Sequence, residues 1–118
     1  MIKLTLFTAA ATLLASTAFA DLERITSRNT LMQQVVGDRF NDIAQDAWFE
    51  LRANGQIVGG FRGGDVAGTW EWSNGQVCFD RSLNGEPIGT SCVNIEVDGD
   101  SVRTIRGDGS SANYARGR

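Results

Sequence analysis

The chain has no histidine, and its one lysine is Lys3. Those gaps remove most of the usual catalytic vocabulary. Without an imidazole there is no Ser-His or Cys-His pair to take a nucleophile's proton. Without a lysine after Lys3 there is no Schiff-base amine and no Ser-Lys dyad in the body of the chain. Cysteine occurs twice, too few thiols for a structural zinc site when no histidine can complete the set. No D-x-[DN]-x-[DN]-G run with a closing glutamate is present, so a calcium loop of that kind is excluded. The glycine cluster GGFRGG, Gly59 to Gly64, lacks the lysine and the following helix of a phosphate loop. Its glycines read as positions for bulges and tight curvature in strands. No cofactor and no metal are expected.

What is present begins with an export signal. Lys3 gives a positive start, Leu4 to Ala15 is apolar except for threonine, and Ser16 to Ala20 ends in a small-x-small pattern. Residues 1–20 therefore read as a signal peptide cleaved between Ala20 and Asp21. The apolar run is short for a membrane span, and no cysteine stands at the cleavage site to carry a lipid. A periplasmic or secreted location without a stable membrane anchor follows. Residues 21–118 then form one small domain with ten arginines against fourteen acids, a formal charge of −4. A mildly acidic domain has no electrostatic case for nucleic acid, whose affinity rests on neutralised phosphates.

The periodicity changes once along this domain. Leu31, Met32, Val35 and Val36 form one apolar stripe, with Ser27 or Asn29 as cap and Gly37 as stop. This predicts a short helix from about Asn29 to Val36. From there on, apolar residues alternate and turn dipeptides recur. Strands are predicted at Asp46–Ala53, Gln56–Arg62, Asp65–Trp72, Gln76–Leu83, Ile88–Val97 and Ser101–Arg106, with a seventh at Ala112–Arg116. Asn54-Gly55 predicts a type I′ hairpin turn, and Asp38–Gln45 is left open as strand or connection. The fold class is mainly β: one short helix, then an antiparallel meander of six or seven strands, as a curled sheet or small barrel.

Cys78 and Cys92 read as one disulfide in an exported chain. If Gly85 centres the intervening hairpin, Cys78 lies opposite Cys92, Val77 opposite Val93 and Phe79 opposite Ser91. Opposed non-hydrogen-bonded residues are within disulfide reach. The bond would staple adjacent strands on their polar face and close a loop of about fifteen residues, worth roughly 3 kcal/mol.

The candidate ligand-binding residues are Trp48, Trp70 and Trp72. Trp70 and Trp72 share a strand face, because side chains alternate along a strand. Core packing is the stronger reading for them, since large aromatics dominate small cores. A stacking platform is the alternative if their face is hollow. Trp48 falls on the polar side of its strand. For catalysis only carboxylates remain. Glu50, Glu71, Asp80 and Glu96 could in principle supply an acid–base pair, yet no spacing singles one out, and no catalytic residue is assigned.

The stretches NGQIVGGF, VAGTWEWSNGQVCFD, SCVNIEVDGDSVR and GDGSSA resemble a family of small exported bacterial proteins. Its members have one N-terminal helix, a β-meander with a G-x-W-x-W…C…C core, and a G-D-G-x-S-A-like ending. Some carry the label dihydrodipicolinate reductase. This chain has neither a dinucleotide fingerprint nor the length for a nucleotide domain beside a substrate domain. The Gly68-x-Trp70 pair also looks like the signature of lipocalin-like barrels, placed later in the chain. The expected function is non-catalytic binding of a small ligand or a periplasmic protein. The alternatives are a small carboxylate enzyme, hydrolase or reductase, and an inhibitor of a cell-wall enzyme acting through Asn84–Thr90 or Gly107–Asn113.

Overall fold

A computed structural model describes residues 21–117; the predicted signal peptide, residues 1–20, lies outside them. The described chain forms β1 (Glu23–Arg24), α1 (Arg28–Gln34), β2 (Arg39–Asp42), a 3-10 turn (Ile43–Gln45), β3 (Ala47–Leu51), β4 (Gln56–Phe61) and β5 (Gly64–Ser73). β6 (Gln76–Leu83), β7 (Glu86–Asp98), β8 (Ser101–Arg106) and β9 (Ser111–Arg116) complete it. Strands β2 to β9 pair with their neighbours in chain order, and β9 pairs back onto β2. The meander is therefore a closed eight-stranded antiparallel barrel rather than a curled sheet, and β1 adds a short strand beside β7.

Closure needs the segment whose character the sequence left open. Asp38–Gln45 contains β2, which pairs with β3 on one side and with β9 on the other. Its signal is weak because only Phe40 among its four residues is strongly apolar. Asp42 then caps the 3-10 turn, its carboxylate accepting the Gln45 amide at 3.2 Å.

The hairpins follow their turn chemistry, with one correction. Arg62-Gly63, Asn74-Gly75 and Asn84-Gly85 each place two left-handed residues between paired strand ends. That is the type I′ geometry, whose twist matches the strands it joins. Asn54-Gly55 does not take that form. Only Gly55 is left-handed there. Its amide donates to the Arg52 carbonyl at 3.0 Å, making a three-residue loop of Ala53, Asn54 and Gly55. The Asn54 side chain instead accepts from the Gln56 amide at 3.0 Å, and Trp70 draws the loop onto β5 by donating its amide to the Gly55 carbonyl at 2.8 Å.

The register predicted for the cysteine hairpin is found: Val77 faces Val93, Cys78 faces Cys92 and Phe79 faces Ser91. Its origin differs. The turn is two residues long, so Leu83 faces Glu86 and Ser82 faces Pro87. A β-bulge between Arg81 and Ser82 shifts the register by one, and Arg81 faces Gly89. The disulfide joins Cys78 and Cys92 across β6 and β7 with a Cα–Cα separation of 4.0 Å.

Alternation sorts the barrel into two faces. Val77, Val93, Ile95 and Val97 are buried inside, while Cys92 is exposed outside. Helix α1 closes one end. Ser27 caps it by accepting the Thr30 amide, and Leu31 and Val35, four residues apart on one face, are fully buried in the core. Arg116 clasps this end. It bonds the Gln34 carbonyl at the helix terminus, the Gly99 carbonyl, and the carboxylates of Asp38 and Asp100.

Candidate functional site

A closed barrel has two ends, and α1 occupies only one. At the other lie the ends of β2, β4, β6 and β8 and the starts of β3, β5, β7 and β9. A cavity of about 960 Å³ opens there. This lies at the upper part of the range usual for sites that enclose small molecules. Its inner wall is apolar: Phe49, Phe79, Ile57, Val77 and Ile95 project into it from four strands. Its rim is apolar as well. Ile43, Phe61 and Ile88 are the exposed large hydrophobic residues of the described chain, at 88%, 39% and 49% exposure, and all three border the cavity. Scattered exposed apolar residues are ordinary, whereas these three gather around one mouth.

Between rim and inner wall sits a polar ring. Arg81 from β6, Arg106 and Thr104 from β8, Tyr114 from β9 and Asp42 from β2 all line the cavity. Arg81 enters the barrel because its strand position is inward, two residues from Phe79 and four from Val77 in the same alternating row. Its neighbours across the sheet are Gly68 on β5 and Gly89 on β7, so no side chain competes for the space. The guanidinium lies over the Phe79 ring, 4.4 Å from the centroid. Its Nε is buried and has no hydrogen-bond partner among the described residues. Burial, reinforced by the like charge of Arg106, lowers the Arg81 pKa and disfavours the cation.

Tyr114 packs edge-on against Phe49, with ring centroids 4.9 Å apart. Desolvation raises its phenol above the ordinary value of 10.0, and the negative charge of Asp42 adds to the rise. Arg81, Arg106 and a hydrogen bond with Thr104 oppose it. Tyr114 is the single tyrosine of the chain, so tyrosinate absorbance reports this one site. The folded protein is expected to titrate above 10.0, and the urea-unfolded chain at the ordinary value. A raised folded pKa favours the neutral phenol in the folded state. That contribution to stability is complete below 10.0 and is lost as pH rises through the folded value. A folded midpoint at or below the unfolded one would show that the ring is solvated.

The predicted site residues fall in three places. Trp70 is buried at the helix end, beneath α1, where its indole donates to the Arg52 carbonyl at 2.8 Å. Trp72 is partly buried against the same core. Neither lines the cavity. Trp48 borders it, but its ring lies outside the barrel, with the Arg39 guanidinium 3.8 Å above it and Gly60 beneath it. The structure therefore does not gather the three tryptophans into one surface.

The four candidate carboxylates stand on separate strands and outside the cavity wall. Glu50 pairs with Arg52 at 3.1 Å and Glu96 with Arg103 at 3.3 Å. Asp42 is the one carboxylate among the described lining residues. Of the stretches expected as exposed loops, Asn84–Thr90 is exposed but runs into β7 from Glu86, and Gly107–Asn113 is an exposed loop as far as Ser110, where β9 follows. Sequence reasoning missed Arg81 and Tyr114. The available signal was an arginine at an inward position of the QVCFDRSL strand, where alternation calls for an apolar residue. Compared with protein families, curated proteins and solved structures, the chain finds no match.

Proposed function

We propose that this protein is a small-molecule binding barrel that encloses an apolar or amphipathic ligand through the end left open by α1. One observation carries the reading. The barrel is plugged at one end and hollow at the other, with an apolar inner wall and an apolar rim. A chain whose sole aim was a stable core would fill that space, because an unfilled apolar cavity costs stability in proportion to its volume. The cross-strand disulfide fits an extracytoplasmic setting, periplasmic or secreted, where such bonds persist. Among the described residues no helix is long and apolar enough to cross a membrane.

The test is titration with N-phenyl-1-naphthylamine, a neutral dye that brightens on leaving water. Saturable binding at one site per chain, weakened at least tenfold by Phe79→Arg, is the expected result. Phe79→Arg introduces a cation into the inner wall, while the outward Asp80→Asn should leave binding unchanged. A dye response that does not saturate, or that both variants leave intact, would remove the cavity from the account.

A further inference from the structure

The proposed ligand-binding reading leaves open what kind of molecule fits, and the polar ring bears on that question. An apolar cavity meant for a neutral hydrocarbon has no use for a guanidinium in its wall. Burying a cation without a counter-charge is costly, and the cost is relieved only by an anion and its hydrogen-bond acceptors. Arg81 is partly buried, and its Nε is sealed from solvent without a partner among the described residues. Neither Arg81 nor Arg106 takes part in an ion pair among the described residues. The two nearby carboxylates make other hydrogen bonds, and Asp108 acts on Arg106 through its charge without pairing with it. Asp42 accepts the Gln45 amide, and Asp108 accepts both the amide and the hydroxyl of Ser110, at 2.9 and 2.6 Å.

We propose that the cavity takes a lipid-like monocarboxylate, its carboxylate held near the mouth by Arg81 and by Arg106, the exposed last residue of β8, and its hydrocarbon body in the inner chamber against Phe49 and Phe79. This rests on the ligand-binding reading above. The order of the layers sets the pose. Val77 and Phe79 precede Arg81 on β6, and Leu83 follows it at the rim. The inner chamber is thus apolar, and the cations sit nearer the mouth. An arginine fork matches the two oxygens of a carboxylate, and the Nε that lacks a partner is one of its donors. Thr104, on the same strand as Arg106, and Tyr114, on the adjoining β9, complete the polar ring. The rim residues Ile43, Phe61 and Ile88 would shed water from the hydrocarbon as it enters.

The experiment is displacement of bound N-phenyl-1-naphthylamine by dodecanoate and by dodecanol, both kept below aggregation. Dodecanoate should displace the dye roughly tenfold or more better than dodecanol, the span of a charge-assisted hydrogen bond. Arg81→Gln should erase that preference by weakening dodecanoate, with dodecanol changed less than about twofold. A second readout needs no variant. The arginines hold the Tyr114 pKa down, so a carboxylate that neutralises them should push it further up. Dodecanol should not. Equal displacement by the acid and the alcohol would overturn the carboxylate assignment while leaving the barrel a binder of apolar molecules. So would a preference untouched by Arg81→Gln, or a Tyr114 titration indifferent to dodecanoate. A dye that never binds would instead defeat the ligand-binding reading itself.

Discussion

Replacing Gly68 with alanine is expected to cost about 3 kcal/mol or more of stability, at the top of the range for overpacking. A Cβ at this position would lie 1.9 Å from the Asp80 carbonyl oxygen and 2.9 Å from the Arg81 Cα. Both are backbone atoms of the neighbouring strand. A flexible side-chain tip could swing aside, but a paired backbone cannot, so β5 and β6 would have to separate along a ladder of eight residue pairs. Gly59 shows the same close approach on the other side of β4, where a Cβ would meet the Trp48 carbonyl at 2.4 Å. Eight strands close only if the sheet folds sharply, and glycines at corners allow this. Urea unfolding checks the expectation. Gly68→Ala should lower the midpoint strongly, while Ala67→Gly, next to it and exposed, should cost about 1 kcal/mol or less. Comparable effects at the two positions would mean that β5 is not folded tightly against β6. The same substitution bears on binding. Gly68 faces Arg81 across the sheet, so added atoms intrude on the space that lets the guanidinium lie inside the barrel.

How far this was legible in the sequence depends on which residues carried a local signal. Strands β6 and β8 were bounded to the residue, because Asn74-Gly75, Asn84-Gly85 and Asp98-Gly99 punctuate strict alternation. The disulfide pairing followed from symmetry about one hairpin. It held although the symmetry came from a bulge at Ile88 and Gly89 rather than from the turn. That bulge is invisible locally, since a glycine after an apolar residue has many uses. The closing strand β2 was obscured for another reason. Its identity rests on pairing with β9, more than seventy residues later, which no short window records. The cavity was legible least of all. Hollow and filled barrels share one alternation pattern, and the difference is whether opposed inward side chains meet. Here glycines at inward positions, Gly59, Gly68 and Gly89, shorten the reach of three strands on one side of the mouth. The tryptophans are the conspicuous aromatics of the sequence, and Trp70 and Trp72 pack in the core as alternation and size favour. The cavity is instead walled by phenylalanines whose inward rows were plain but whose partners were not.

Trp70→Ala should be the most destabilising single truncation, at about 3–5 kcal/mol, against the 5–15 kcal/mol that holds a typical domain folded. Trp70 is buried at 6% exposure and joins three things that would otherwise part. Its ring packs in the core with Leu31 of α1 and with Val35, which caps the end of that helix. Its indole donates to the Arg52 carbonyl, and its amide donates to the Gly55 carbonyl, so it pins the β3–β4 loop. The Arg28 guanidinium lies 6.0 Å from its ring centroid, over the face turned toward the helix. Trp70→Phe separates these roles. It keeps most of the apolar area and loses the indole hydrogen bond, and it should cost roughly 1–2 kcal/mol. The Arg52 carbonyl still receives the Gly55 amide, which limits the loss. Guanidinium unfolding of both variants gives the comparison, and dye binding to the folded Trp70→Phe protein gives the second half. A residue that belonged to a ligand platform would change affinity at least as much as stability. Trp70 lies under the plug and outside the cavity wall, so dissociation constants should stay within about twofold while stability falls. The opposite result, weaker binding with stability intact, would place the ligand at the helix end and reverse the polarity assigned to the barrel.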